Sequence, residues 1–126
     1  MTALTTESRE DLATAFSGLG LKVYGTVPAV PIPPCAVIVP DATWITPNRI
    51  GSTLAYRISW RVMVVIAPRK NDAATVDTEN AIDAILAAMP AGYQIIRVGA
   101  PQLADTGAQG TVITTEITVQ VDMKES

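Results

Sequence analysis

Residues 55–67 read Ala-Tyr-Arg-Ile-Ser-Trp-Arg-Val-Met-Val-Val-Ile-Ala, and Pro68 stops the run. Taken with period two, Tyr56, Ile58, Trp60, Val62, Val64 and Ile66 share one face, while Arg57, Ser59, Arg61, Met63 and Val65 share the other. Alternation over that length specifies a β-strand with one buried face. The second face changes character, polar from Arg57 to Arg61 and apolar at Met63 and Val65. Its polar half is expected to meet solvent or a polar partner, and its apolar half to be covered. Trp60, central on the apolar face, is expected between the sheet and the helices that pack on it.

Upstream, Ala36-Val-Ile-Val39 reads as a strand ended by Pro40 and Asp41, followed by a loop over residues 42–53. Residues 36–67 then form an antiparallel hairpin with an extended tip. Trp44 and Ile45 are apolar for such a tip, so either the loop folds back over them or a partner covers them. Before the hairpin, Pro28 to Pro34 holds four prolines in seven residues. Prolines remove ladder donors and keep the backbone extended, which suits a stiff connector better than a groove ligand. Residues 21–27 read as a brief strand with Leu21 and Val23 on one face and Lys22 and Tyr24 on the other.

The first helix is expected over Thr6–Ser17, with Thr6 as N-cap and Glu7, Glu10 and Asp11 in the first turns, where the helix dipole favours negative charge. Leu12, Ala15, Phe16 and Leu19 supply its apolar stripe, Phe16 is its anchor, and Gly18 and Gly20 end it.

Beyond residues 68–72, a polar turn, a second helix is expected over Ala73–Met89, capped by Asn71 or Asp72 and ended by Pro90 and Gly92. Val76, Ile82, Ile85, Leu86 and Met89 form its buried stripe. Asp77, Glu79 and Asp83 spread around the cylinder, as solvated carboxylates do and metal ligands do not. Residues 94–98 read as a strand and 99–110 as an exposed loop. Within it, Gly107-Ala-Gln-Gly110 is no phosphate loop, because neither Lys-Ser/Thr nor a helix follows. The last strand, residues 111–122, turns Ile113, Thr115, Ile117, Val119 and Val121 one way and Thr114, Glu116, Thr118 and Gln120 the other. The expected fold is a single α+β domain over residues 1–126: a mainly antiparallel sheet of about five strands with two helices packed on one face.

Composition narrows the chemistry. Hydrophobic content of 48% with 17% charged residues describes an ordered chain. A net charge of -3 without a basic run argues against sequence-independent or sequence-specific nucleic-acid binding as the main task. The chain has no histidine and a single cysteine, Cys35, which argues against a zinc site and leaves a thiol nucleophile without an imidazole base. Cys35 lies in Pro-Pro-Cys-Ala-Val, where a small buried hydrophobe is expected. No catalytic, cofactor-binding or metal-binding residues are expected. No apolar run approaches the ~20 residues that span a bilayer, and the N-terminus lacks a signal-peptide layout. Synthesis in the cytoplasm and no membrane partner are the expectations.

In order, the chain offers a short helix, the Lys22-Val-Tyr24 strand, the Val27-Pro28 connector through Pro34, and a short Val-rich strand. A long strand with a central Trp, an Asp-Ala-Ile-Leu-Ala-Ala helix segment (Asp83–Ala88) and two terminal strands complete it. This layout resembles the tail terminator and minor tail-completion proteins of long-tailed bacteriophages and related gene-transfer particles. The resemblance is one of layout and composition over nearly the whole chain. It implies a structural virion protein of the tail or neck. Identical subunits would form a ring, typically a hexamer, that caps the tail tube, ends its polymerisation and meets the head-side connector, with DNA able to pass through. Trp44, Ile45, Asn48 and Arg49 are then expected to meet a neighbouring subunit or the tube, with Arg57 and Arg61 helping to set that contact.

Two other classes compete. One is a head-completion or stopper connector of the neck, also ring-forming. The other is a small α+β enzyme or ligand-binding domain, which needs a pocket with convergent polar groups. Pairs such as Tyr56 with Arg57, or Arg97 with Asp105, show no recognisable catalytic spacing.

Overall fold

The period-two stretch forms the middle of a six-stranded sheet. A computed structural model describes residues 3–28, 32–50, 53–67, 73–105 and 111–124. Its elements are α1 (Leu4–Phe16), β1 (Lys22–Tyr24), β2 (Cys35–Ile50), β3 (Thr53–Ile66), α2 (Ala73–Ala88), β4 (Tyr93–Val98), β5 (Gln102–Asp105) and β6 (Thr111–Lys124). Strand order is β1-β2-β3-β6-β4, with β5 also paired to β6. Only β1 against β2 is parallel; the other pairs are antiparallel. The fold is α+β, as the residue pattern indicates.

Register puts the expected faces together. Ile58 lies opposite Val121, Trp60 opposite Val119, Val62 opposite Ile117 and Val64 opposite Thr115. On the other side of β3, Val62 faces Ile38 and Val64 faces Ala36. Leu12 and Phe16 of α1 and Ala81 and Ile85 of α2 close over this face, so both helices lie on one side of the sheet. Trp60 is 1% exposed at the centre of that layer. The same burial leaves Thr115 with an unpartnered hydroxyl in the apolar layer.

Four expectations need correction. Residues 42–50 are not loop: β2 continues to Ile50, opposite Thr53. The break that Pro40 and Asp41 signal is a register shift in which Asp41, Ala42, Thr43 and Trp44 stand opposite Ser59 alone. Such a bulge bends the strand and lets pairing resume beyond a proline. Residues 99–105 are not all loop either, because Gln102–Asp105 pairs with Thr111–Thr114 as β5. Thr6 is not an N-cap: α1 starts at Leu4, and Glu7 N–H donates to Ala3 O at 2.9 Å. Packing of Leu4 on the core extends the helix backwards past the capping signal. Val76 is 50% exposed, and the buried face of α2 runs instead through Thr78, Ala81 and Ile85, with Ile82, Leu86 and Met89 packed beside it. The expected caps Asn71 and Asp72, the stop Pro68 and the Gly107–Gly110 segment lie outside the described residues.

Candidate assembly surfaces

The helix-free face of the sheet divides as the two characters of β3 require. In its polar half, Arg57 stands opposite Asp122 in register and reaches it with two prongs, Nε to Oδ1 at 2.9 Å and Nη2 to Oδ2 at 3.4 Å. The guanidinium's hydrogen bond and charge hold the Asp122 carboxyl below its ordinary range, and the carboxylate raises Arg57 in return. Both side chains are more than half exposed, so water and salt screen the pair and its contribution to stability is small. Next along the face, Arg61 Nη1 donates to Glu116 Oε1 at 3.3 Å, and its Nε lies 3.7 Å from Asp41. Gln120 Nε2 donates to Gln94 Oε1 at 2.8 Å. The polar half is a set of cross-strand pairs that neutralise one another, not a cluster aimed at a common point.

In the apolar half, Cys35, Val37, Val65 and Val112 are buried, with Tyr24, Val39, Met63 and Ala104 packed against them. Covering of Met63 and Val65 is therefore achieved partly within the chain. The connector reaches this side, since Ile32 N–H donates to Tyr24 Oη at 3.3 Å. Burial pushes the Cys35 thiol from its ordinary 9.0 to about 11, leaving almost no thiolate at neutral pH.

Trp44 folds back: its ring meets Trp60 edge-on, with centroids 5.8 Å apart and planes at 70°. It still leaves 39% of itself exposed, and Ile45 beside it is half-buried. Asn48 and Arg49 lie on the last turn-ward rungs of β2, opposite Ala55 and Leu54; their side chains lie outside the described residues. Arg57 and Arg61 share the helix-free face but point to partners within the same chain.

A groove of about 420 Å³ lies beside α2, lined by Leu19, Leu21, Pro34, Ile66, Ala81 and Ala84, with Asp77 and Asn80 as its polar edge. It brings together no acid, base and nucleophile. Tyr56 and Arg57 stand on opposite faces of β3, and Arg97 stands on the helix-free face opposite Thr118. The side chain of Asp105 lies outside the described residues. Among the described residues no three His, Cys, Asp or Glu side chains group as metal ligands. Nor is any described helix long and apolar enough to cross a membrane.

No protein-family model matches the chain, and no curated protein matches it. Among solved structures, the fold aligns with a chain of the virion of a native gene transfer agent (GTA) particle. The alignment covers 98% of this chain and 96% of that one, with a TM-score of 0.58 and 12% sequence identity. What the two share is the fold.

A surface the sequence reading passes over is the pair of sheet borders. Val27 and Ile32 are 71% and 52% exposed beside β1. At the opposite border Ile95, Ile96, Val98 and Leu103 are exposed on β4 and β5. The adjacent isoleucines 95 and 96 were the available signal, because neighbouring residues of a strand point to opposite faces and one of them must miss the core.

Proposed function

We propose that this chain is a virion structural protein, one subunit of a ring that caps a tail tube. The ring ends tube polymerisation and offers its far side to the head-side connector. The supporting observation is the end-to-end likeness of its fold to a chain of a gene transfer agent virion. The surfaces agree with an assembling subunit: Arg57 and Arg61 on the open face are paired in cis, and apolar side chains gather at the borders. In this reading the β2–β3 end, where Trp44, Ile45, Asn48 and Arg49 lie, meets the tube or a neighbouring subunit. Arg57 and Arg61, already held by Asp122 and Glu116, give that contact a fixed polar margin.

Deletion of the gene tests the proposal. Particles lacking the protein are expected to carry tails of uncontrolled length that fail to join heads. Tails of normal length that stay unjoined would point to a head-completion or stopper protein instead. Normal tails on filled heads would remove the chain from the neck altogether.

A further inference from the structure

The two helices do not cover the whole of their side of the sheet. Val119, Ile117 and Ile113 of β6 belong to the core layer beneath the helices, and the residues opposite them on β4 and β5 are Ile95, Val98 and Leu103. These three therefore face the helix side, yet they are 43%, 42% and 73% exposed. Gln94 and Arg97, opposite Gln120 and Thr118, turn to the helix-free face and take no part. The strip runs from the rung of Val119 to that of Ile113, about 20 Å at the ordinary rise of a strand.

The inner margin of the strip is α2. On the β1 side of that helix, Asp77, Asn80, Ala81 and Ala84 turn into the groove towards Leu19 and Leu21. Helical spacing then sends Glu79, Asp83 and Leu86 to the opposite flank, the one beside β4 and β5. At the lower end of the strip Asp11 of α1 stands 3.5 Å from Tyr93 Oη, with Glu7 one turn before it. Among the described side chains no cation shares this margin. Lys22, Arg57, Arg61 and Arg97 are on the helix-free face, and the stem of Arg9 lies by Gly25 at the β1 border.

From the apolar strip and its acidic margin we propose that this side of the sheet seats an amphipathic helix of a different, basic partner protein. The helix lays its apolar stripe on Ile95, Val98 and Leu103 and turns lysines or arginines towards Glu79, Asp83 and Asp11. A helix suits the place because the strip is a face of the sheet, not its edge. No ladder groups point there, and a helix arrives with its own backbone bonds made. About 13 helical residues match ~20 Å. The helices of a second copy do not fit. Helix α1 carries Glu7, Glu10 and Asp11 against Arg9, and α2 carries Asp77, Glu79 and Asp83 with neither Lys nor Arg. Either would set like charges against the margin. The proposal goes beyond the ring reading and does not depend on it, so normal tails after gene deletion would leave it standing.

The probe is a synthetic helical peptide of about 14 residues, with leucines along one stripe and lysines along both flanks. Fluorescence anisotropy reads its binding, and hydrogen exchange locates it. A Kd of about 10–100 µM at low salt is expected, with new protection in α2, β4 and β5. A scrambled peptide of the same composition, and one with Glu in place of Lys, are expected to bind at least about tenfold more weakly. Leu103→Ser and, separately, Glu79→Lys with Asp83→Lys are expected to weaken the helical peptide by about tenfold or more, with unchanged circular dichroism spectra. Arg97→Glu, on the other face, is expected to leave its Kd unchanged although it makes the chain more acidic. A scrambled peptide that binds equally, variants that bind like the parent, or a tighter complex with Arg97→Glu overturns the proposal. So does a wild type whose self-association in sedimentation is abolished by Leu103→Ser, because the strip then belongs to a second copy.

Discussion

Ser8 sits where the Leu4, Leu12, Phe16 spacing of α1 calls for a fourth apolar side chain. It is fully buried, donates its hydroxyl to Thr5 O at 2.9 Å and accepts from Trp60 Nε1 at 2.9 Å. The largest buried side chain of the protein thus has its one polar atom satisfied, a requirement for an indole far from water. Removing the ring by Trp60→Ala is expected to cost roughly 3–5 kcal/mol of stability in urea unfolding, from lost burial plus the cavity left behind. Trp60→Phe keeps most of the bulk and is expected to cost less, about 1–2 kcal/mol, chiefly the hydrogen bond to Ser8. A Trp60→Ala protein that unfolds like the parent would contradict the core described here. Trp60 was legible from alternation alone. Ser8 was not, because one polar residue in an apolar stripe reads as a gap until the indole above it is located.

At the scale of elements, α1 is fastened to the far border of the sheet by Tyr93, whose hydroxyl donates to Ser8 O. Burial first, and then the carboxylates of Asp11 and Glu7, raise the phenol above its ordinary range. The folded state therefore holds this proton more tightly than the unfolded chain does. The stability it lends is complete below about pH 10 and is lost as pH climbs towards the folded value. Tyr93→Phe is expected to flatten that alkaline decline and to speed hydrogen exchange in α1 at neutral pH. An unchanged exchange pattern would show that the helix is held by its apolar stripe alone. The elements that sequence reading located well, β3, β6 and α2, each carry a long run of a single period. Those it missed lack one. The far half of β2 holds Pro47 and Asn48, and it is extended because β3 offers it six rungs of partner beyond the register shift. Likewise β5, Gln-Leu-Ala-Asp, has no β-branched residue and is a strand only because β6 passes beside it. The border surfaces were illegible for the same reason, since which residues lie at an edge depends on strand order and not on any local pattern.

For the whole molecule, the order β1-β2-β3-β6-β4 places the last strand of the sequence between β3 on one side and β4 with β5 on the other. Residues 113–124 of β6 pair along nearly the full length of β3, which itself precedes them by about half the chain. A chain ending at residue 110 would expose the inner edge of β3 and leave β4 and β5 without a partner. It is expected to show no cooperative unfolding transition, whereas a supplied peptide of residues 111–124 restores one; a truncated chain that melts sharply would contradict this. The consequence reaches into synthesis. Neighbouring contacts such as the β2–β3 hairpin can form as the chain leaves the ribosome, but the core must wait for β6, because non-local pairing comes late. Until then β4 and β5 have no strand to pair with, so a product that stops before β6 lacks that border of the sheet. Placing β6 between β3 and the β4–β5 pair makes both parts of the sheet depend on one segment that is made after them.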